Sequence, residues 1–263
     1  MLLPKKLLIL TCVLAALPVL AQRPFTDVTP HADRLAEYKR IETVGYQFAY
    51  EYLVANLDER PSIYDDTPRR KFEIGGKGLL SQEIEYSPEG DSSVTEYSYM
   101  PDFQLRVVEA GGEYMYKKGY LYNAKGRLDT IVIASADAED RIPKYSKDGT
   151  VSEFLVRRAD VARDESGEMV EPAQIIHFPW QKITYAYDKN KRPVEEKIFS
   201  MENELRFNRL FTYDDKGRIT KITYKNNDSP MVETFSYDAK GNLTVRVFED
   251  ATGAKEVFKY LYQ

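Results

Sequence analysis

A short repeat constrains the fold of this chain more than any other feature of its sequence. The segment Phe211–Tyr224 reads FTYDDKGRITKITY, and it returns as FSYDAKGNLTVRVF over Phe235–Phe248. An earlier copy reads YLYNAKGRLDTIVI over Tyr120–Ile133. Each copy has two runs of alternating apolar and polar residues, separated by a polar turn that contains glycine. This pattern is typical of a β-hairpin, and its repetition predicts an antiparallel meander.

The turn in each copy contains residue types that suit a tight hairpin. Asp214 and Asp238 can accept a hydrogen bond from the backbone N–H two residues later. Gly126, Gly217 and Gly241 can adopt the positive φ needed where the chain rejoins the strand. Because Asn, Asp and Ala replace one another in these turns, we interpret them as structural turns and not as an acidic site.

Weaker copies extend the pattern of a Tyr followed four residues later by Gly through most of the chain, at Tyr86, Tyr145 and other positions. The unit Tyr-Asp-x-x-Gly-Arg-Leu-Thr resembles the YD repeat of Rhs-type bacterial surface and toxin-carrier proteins, over about residues 71–263. The resemblance implies a β-sheet ribbon, often wound into a shell, in proteins frequently described as sugar-binding. We predict a mainly β fold: a meander of about eight hairpins in a twisted, curled sheet, with closure into a barrel left open.

The first 21 residues are predicted to be a cleaved secretory signal. Lys5 and Lys6 precede the apolar run Leu7–Leu20, and the small residues around Ala21 suit signal cleavage. The run is too short to span a bilayer easily. Since Cys12 is the sole cysteine, cleavage leaves none. We therefore expect an exported protein, periplasmic or at the cell surface, that does not span the membrane after cleavage.

Charge narrows the classes of partner. Removing the two signal lysines from 37 basic residues leaves 35 against 42 acidic ones, a net charge of −7. With no basic patch to displace counterions, we predict no nucleic-acid partner. The charged runs Glu195–Lys197 and Arg218–Lys221 also argue against strands that face lipid.

The segment between the signal and the repeats is predicted to be helical. Thr29 and Pro30 suit a helix start, and apolar residues then recur at steps of three and four, which favours a helix over about His31–Asn56. From Tyr46 to Tyr52 aromatic residues also alternate, so a strand stays open there. Breaker-rich residues follow and divide the chain into a signal (1–21), an N-terminal arm and helix (22–65) and a repeat domain (66–263).

Residue types that support catalysis or metal binding are sparse. The only histidines, His31 and His177, stand far apart in the sequence and have no spaced metal-ligand partner. The chain contains no nucleophile elbow, and Gly75–Gly78 lacks the Ser or Thr of a phosphate loop. We predict a protein that is not an enzyme and that needs neither a cofactor nor a metal.

The stretch His177–Trp180, which reads HFPW, interrupts the repeat pattern. Loops carry function disproportionately, and aromatic side chains can stack on sugar rings or on partner side chains. The alternative is that these aromatic residues only fill cross-strand positions. The predicted contact surface comprises His177, Trp180, Tyr185, Tyr187, Phe211 and Tyr213.

We therefore predict a non-enzymatic binding or scaffold protein of the cell envelope that recognises a glycan or an envelope protein through its sheet. The alternative is a periplasmic carrier or chaperone that shelters an apolar ligand between the helix and the curled sheet. The sequence predicts no oligomeric state.

Overall fold

The structure, a computed structural model of the chain, describes residues 46–64, 66–75, 79–101, 104–111, 116–134, 138–162, 175–225 and 230–263. These residues form sixteen β-strands and include no helix. Each strand pairs antiparallel with its neighbours in sequence, and β1 pairs with β16, so the sheet closes into a barrel. The predicted mainly β, antiparallel meander is confirmed. The strands are β1 Phe48–Val54, β2 Arg70–Ile74, β3 Leu80–Tyr86, β4 Ser92–Tyr99, β5 Leu105–Ala110, β6 Tyr116–Tyr122, β7 Leu128–Ala134, β8 Glu139–Tyr145, β9 Val151–Val161, β10 Ile175–Tyr187, β11 Pro193–Ser200, β12 Leu205–Tyr213, β13 Ile219–Tyr224, β14 Met231–Tyr237, β15 Leu243–Glu249 and β16 Lys255–Tyr262.

Alternate residues of the strands form one packed core inside the barrel. A single cluster of buried apolar side chains draws members from strands all around the barrel, so the face that they share is the interior. Phe72, Phe154, Leu80, Ile131 and Ile222 are among its most completely buried members. Burial of each such side chain contributes about 1.5–3 kcal/mol, and this packing stabilises a chain that has no disulfide.

The intervening residues form an outer face that is rich in ion pairs. Lys71 lies 3.2 Å from Glu73 within β2, and Lys117 of β6 lies 2.8 Å from Glu109 of β5. The two faces therefore follow the period-two alternation of a sheet that is buried on one side.

The predicted helix over His31–Asn56 is wrong where the structure describes it, because Phe48–Val54 is strand β1. Glu51 of β1 is buried inside the barrel, and Tyr52 packs on the outer side against Val257 of β16. The alternating pattern is favoured here because a strand can bury both faces while its two edges pair with β2 and β16. Residues 31–45 and the predicted signal (1–21) lie outside the described residues.

The predicted curled sheet is closed, and β1 accounts for its closure. β16, the last strand of the meander, pairs with β1. Closure leaves no edge strand along the body of the barrel, which removes a site for unwanted pairing. The barrel thus begins before the predicted domain boundary at residue 66.

The repeat turns have the backbone geometry that their residue types favour. Gly126, Gly217 and Gly241 have φ values of 69°, 82° and 91°. Asp214 accepts a hydrogen bond from the backbone N–H of Arg218 at 2.8 Å. In the next repeat, Asp238 accepts the equivalent bond from the backbone N–H of Asn242. All these turns lie at the same rim of the barrel, because the meander brings every second hairpin to that end.

Candidate interaction surface

The tyrosine of the repeat unit has a structural role at the rim that carries these turns. Seven tyrosines at the ends of even-numbered strands each donate a hydrogen bond, of 2.5–2.9 Å, to the carbonyl of the first residue of the preceding strand. We call them the tyrosine ring: Tyr99, Tyr122, Tyr145, Tyr187, Tyr213, Tyr237 and Tyr262. Burial raises the pKa of several of these phenols, including Tyr187 and Tyr237, so they remain protonated donors at neutral pH.

The arginine of the repeat unit joins one unit to the next. Arg218 Nε lies 2.7 Å from Asp214 Oδ2 in its own turn, and its guanidinium lies 4.6 Å from the ring centre of Tyr237 in the following unit. Arg192 makes the same pair of contacts, with its own turn and with Tyr213. Such stacking contributes about 0.5–2 kcal/mol, depending on exposure, so the spacing repeated in each unit links adjacent hairpins.

Four of the six residues of the predicted contact surface lie in the barrel framework. Tyr187 and Tyr213 belong to the tyrosine ring. Tyr185 and Phe211 are buried in the interior core cluster, where burial and the nearby charge of Glu196 raise the pKa of Tyr185. The structure therefore does not bring these four side chains to an outer surface.

The other two residues, His177 and Trp180, lie in strand β10 at the opposite rim. The sequence predicts an irregular insertion there, whereas the structure continues β10 as a strand from Ile175, with a register shift in its pairing with β9 between Pro179 and Gln181. Pairing with β11 begins only at Gln181, opposite Ser200. Among the described residues, Ile175–Trp180 pairs with β9 alone, so this part of the β9–β10 hairpin extends beyond the neighbouring β11–β12 turn.

One face of this extension is apolar and exposed. Ile176, Phe178 and Trp180 have relative exposures of 46%, 36% and 40%, and we call these three side chains the apolar face. They share that face with Arg158 of β9, which pairs with Phe178 and whose guanidinium lies 4.1 Å from the ring centre of Trp180. Adjacent Ile175 is also exposed, at 71%. Large apolar side chains that cluster in this way are typical of interaction sites.

The opposite face of the extension is polar. His177 Nδ1 lies 3.1 Å from Asp140 Oδ2 on β8, and the same carboxylate accepts a hydrogen bond from Arg157 at 2.9 Å. These contacts tie the base of the extension to β8. The polar contacts of the extension are thus concentrated on the side opposite the apolar face.

The barrel interior contains a buried charge network at the closure. Glu51 of β1 accepts hydrogen bonds from Arg70 of β2 at 2.9 Å, from Arg246 of β15 at 3.3 Å, and from the hydroxyl of Tyr260 on β16. Burial alone raises the pKa of Glu51, but the charges of Arg70 and Arg246 outweigh it and lower the pKa overall. Glu83 shares Arg70, and there burial prevails and raises the pKa.

These buried carboxylates have no access to a substrate. Glu51 is 1% exposed, and a second pair, Glu196 with Arg209, is equally enclosed. Within the described ranges, no group of three or more His, Cys, Asp or Glu side chains could hold a metal ion. No helix among those residues is long and apolar enough to cross a membrane.

Comparison with known proteins identifies no family. Neither the family models nor the curated proteins contain a match. Among solved structures, the chain is similar to a porin-like protein from Bacteroides uniformis, at 11% identity, covering 83% of this chain and 96% of that one, with a TM-score of 0.45. It is also similar to TcdB2-TccC3-Cdc42, at 12% identity, 80% and 13% coverage, and a TM-score of 0.28. A third similarity is to TcdB2-TccC3 without its hypervariable C-terminal region, at 11% identity, 72% and 12% coverage, and a TM-score of 0.28.

The chain therefore spans about an eighth of the toxin chains that it matches. The resemblance of its repeats to YD repeats stays a prediction. What the site itself offers is a binding surface: an exposed apolar face on a short strand extension, next to a stacked guanidinium and opposite a polar face.

Proposed function

We propose that this chain is an exported, non-enzymatic binding protein of the cell envelope, and that it binds a protein partner through the apolar face of the β9–β10 extension. The single observation that carries the proposal is the exposure of Ile176, Phe178 and Trp180 on a strand that extends beyond β11. Aromatic residues and arginine are enriched where proteins bind one another, and Arg158 stands beside Trp180.

The composition of this face favours a protein over a glycan. Ile176 is aliphatic and exposed, whereas stacking on a sugar ring needs a flat aromatic surface. The guanidinium of Arg158 already covers part of the Trp180 ring. A protein with apolar side chains of its own would bury the whole patch.

The alternative carrier function has less support. A carrier would need space for an apolar ligand, but inner-facing Phe72, Phe154 and Ile131 have 0–1% exposure, which indicates a side-chain-filled interior at their level of the barrel. The export proposal rests on the signal-like N-terminal sequence. The ion pairs of the outer face, such as Lys71–Glu73, fit a barrel that stands in water, because charges facing lipid are costly.

The proposal can be tested by photo-crosslinking in the native envelope. We would place a photoreactive amino acid at Phe178, identify the polypeptide captured, and measure binding of the purified pair. The double variant Phe178→Ser/Trp180→Ser should weaken binding at least tenfold, which corresponds to about 1.4 kcal/mol. The matched control is Leu121→Ser/Val132→Ser, which removes two apolar side chains of similar exposure elsewhere on the barrel.

Equal binding by the two double variants would overturn the proposal. A second combination of results would also overturn it: no protein is captured, and Trp180→Ser loses glycan binding. Those two results together would assign the apolar face to a sugar.

A further inference from the structure

Among the described residues, no strand pairs with the second backbone edge of the β10 extension, and the pairing with β9 shows which backbone groups point to that edge. In β9, the N–H of Ala159 donates to the carbonyl of residue 138 on the β8 side, at 2.9 Å. A residue's N–H and C=O point to the same side of an antiparallel strand, and sides alternate along it. Since Ala159 is opposite His177, the backbone groups of His177 point away from β9. Those of Ile175 and Pro179 point the same way.

This free edge has an uneven set of hydrogen-bonding groups. Ile175 and His177 each present one N–H and one C=O, whereas Pro179 has no N–H and presents only a C=O. Proline is tolerated at such an edge because its missing donor faces away from the sheet. The described residues contain no strand that pairs with this edge.

We propose that a second copy of this chain pairs with the free edge, so that two β10 extensions form an antiparallel sheet about a two-fold axis at His177. In this register His177 of each copy exchanges two hydrogen bonds with His177 of the other. The N–H of Ile175 then reaches the C=O of Pro179 in the other copy, and the symmetry repeats this bond. All four N–H donors of the two edges are then satisfied. Because Pro179 has no N–H, only the C=O of Ile175 in each copy stays unpaired.

Side chains support the same register. Ile176 of one copy stands opposite Phe178 of the other, and both lie on the same side of the sheet because paired residues share a face. The two apolar faces then join into one continuous strip. A two-fold interface requires a surface that is complementary to itself, and both the backbone groups and the apolar side chains of this segment meet that condition. An extended peptide from another protein is the competing occupant of the edge.

The inference goes beyond the proposed function and does not rest on it, because oligomeric state is measured on the purified chain without any partner. We would measure the dimer dissociation constant of the full chain by sedimentation. His177→Pro removes the central donor and should raise that constant more than about tenfold. The matched control is His177→Ala, which removes the side chain, keeps the backbone N–H and should still dimerise. Circular dichroism and thermal melting would verify that both variants keep the barrel.

A cross-linking experiment checks the register independently of folding. In a Cys12→Ser background, His177→Cys places two sulfurs on residues whose Cα atoms lie about 5.5 Å apart, within the range for a disulfide. Ile176→Cys places them on diagonal positions about 7–8 Å apart, which are too distant to bridge readily. We expect oxidation to link the first variant and to leave the second largely unlinked.

Three results would each overturn the inference: a wild-type chain that stays monomeric at every concentration tested, a dimer that His177→Pro leaves unchanged, or equal linking of the two cysteine variants. A monomer that binds an extended peptide at this edge would assign the edge to the competing occupant.

Discussion

Arg246 Nη2 lies 3.3 Å from Glu51 Oε2, although the two residues are 195 positions apart in the sequence. The contact joins β15 to β1 across β16, and Glu51 also binds Arg70 of β2. A single buried carboxylate thus connects both ends of the meander at the closure of the barrel.

Replacing this carboxylate should destabilise the closed barrel. Glu51→Gln removes the carboxylate that Arg70 and Arg246 share, and it leaves them only Glu83 and Glu233 as counter-charges. Removing one partner of a buried pair costs up to about 3–5 kcal/mol. We expect a fall of that size in the free energy of unfolding, measured by chemical denaturation. The control is Glu73→Gln, which breaks an outer-face pair with Lys71 and should cost less than about 1 kcal/mol. Similar losses for both variants would contradict the closure role.

The hydroxyl of Tyr237 donates to the carbonyl of Ile219 at 2.8 Å, so its removal should be measurable. Tyr237→Phe leaves a carbonyl at the rim without its donor, and we expect a loss of about 1–3 kcal/mol in the free energy of unfolding. Tyr64→Phe, at a residue that is 84% exposed, should change it little. A Tyr237→Phe variant as stable as the wild type would show that water replaces the donor.

The raised pKa values of the tyrosine ring predict alkaline instability. Burial raises the pKa of Tyr187, Tyr237 and Tyr262, whereas tyrosine in an unfolded chain titrates near about 10. Between the two values the folded chain keeps protons that the unfolded chain loses, so the stabilising contribution is complete below pH 10 and declines above it. Denaturation at pH values on both sides of 10 should show this fall. Tyr237→Phe should make this fall shallower, and a wild-type stability that is flat across this range would refute the assignment.

The left-handed backbone at Gly217, with φ of 82°, makes this residue sensitive to substitution. A side chain there strains the backbone, and Gly217→Ala should reduce the free energy of unfolding by about 1–2 kcal/mol. The matched control is Gly119→Ala in β6, where φ is not positive and an added Cβ meets no atom within 4 Å. Thermal melting should separate the two variants, and equal melting temperatures would argue against a strained turn.

The repeat made much of the fold predictable. Alternation and turn residues are local signals, so the meander of hairpins and the glycine geometry at Gly217 and Gly241 follow from the sequence. The partners of Tyr237 and Arg218 could not be inferred in the same way, because each contact joins one unit to the next and depends on strand register. The repeated spacing of Tyr, Asp, Gly and Arg was the signal that such contacts exist.

The candidate surface was predictable only in part. The sequence singled out His177 and Trp180 because they interrupt the repeat, and both lie on the exposed extension. It also grouped them with Tyr185 and Phe211, which are buried in the core. Sequence alternation places residues on one of two faces, but it does not say which face a closed barrel turns inward.

The sequence by itself determined that this chain forms antiparallel hairpins with tight glycine turns, since those depend on residues a few positions apart. Only the tertiary structure decided that β1 is a strand, that it meets β16, and that β10 extends past β11. Those outcomes depend on which distant strand is available for pairing. The sequence of an aromatic segment such as Phe48–Val54 fits both a helical and a strand period. The strand is favoured because the edges of β2 and β16 pair with its backbone.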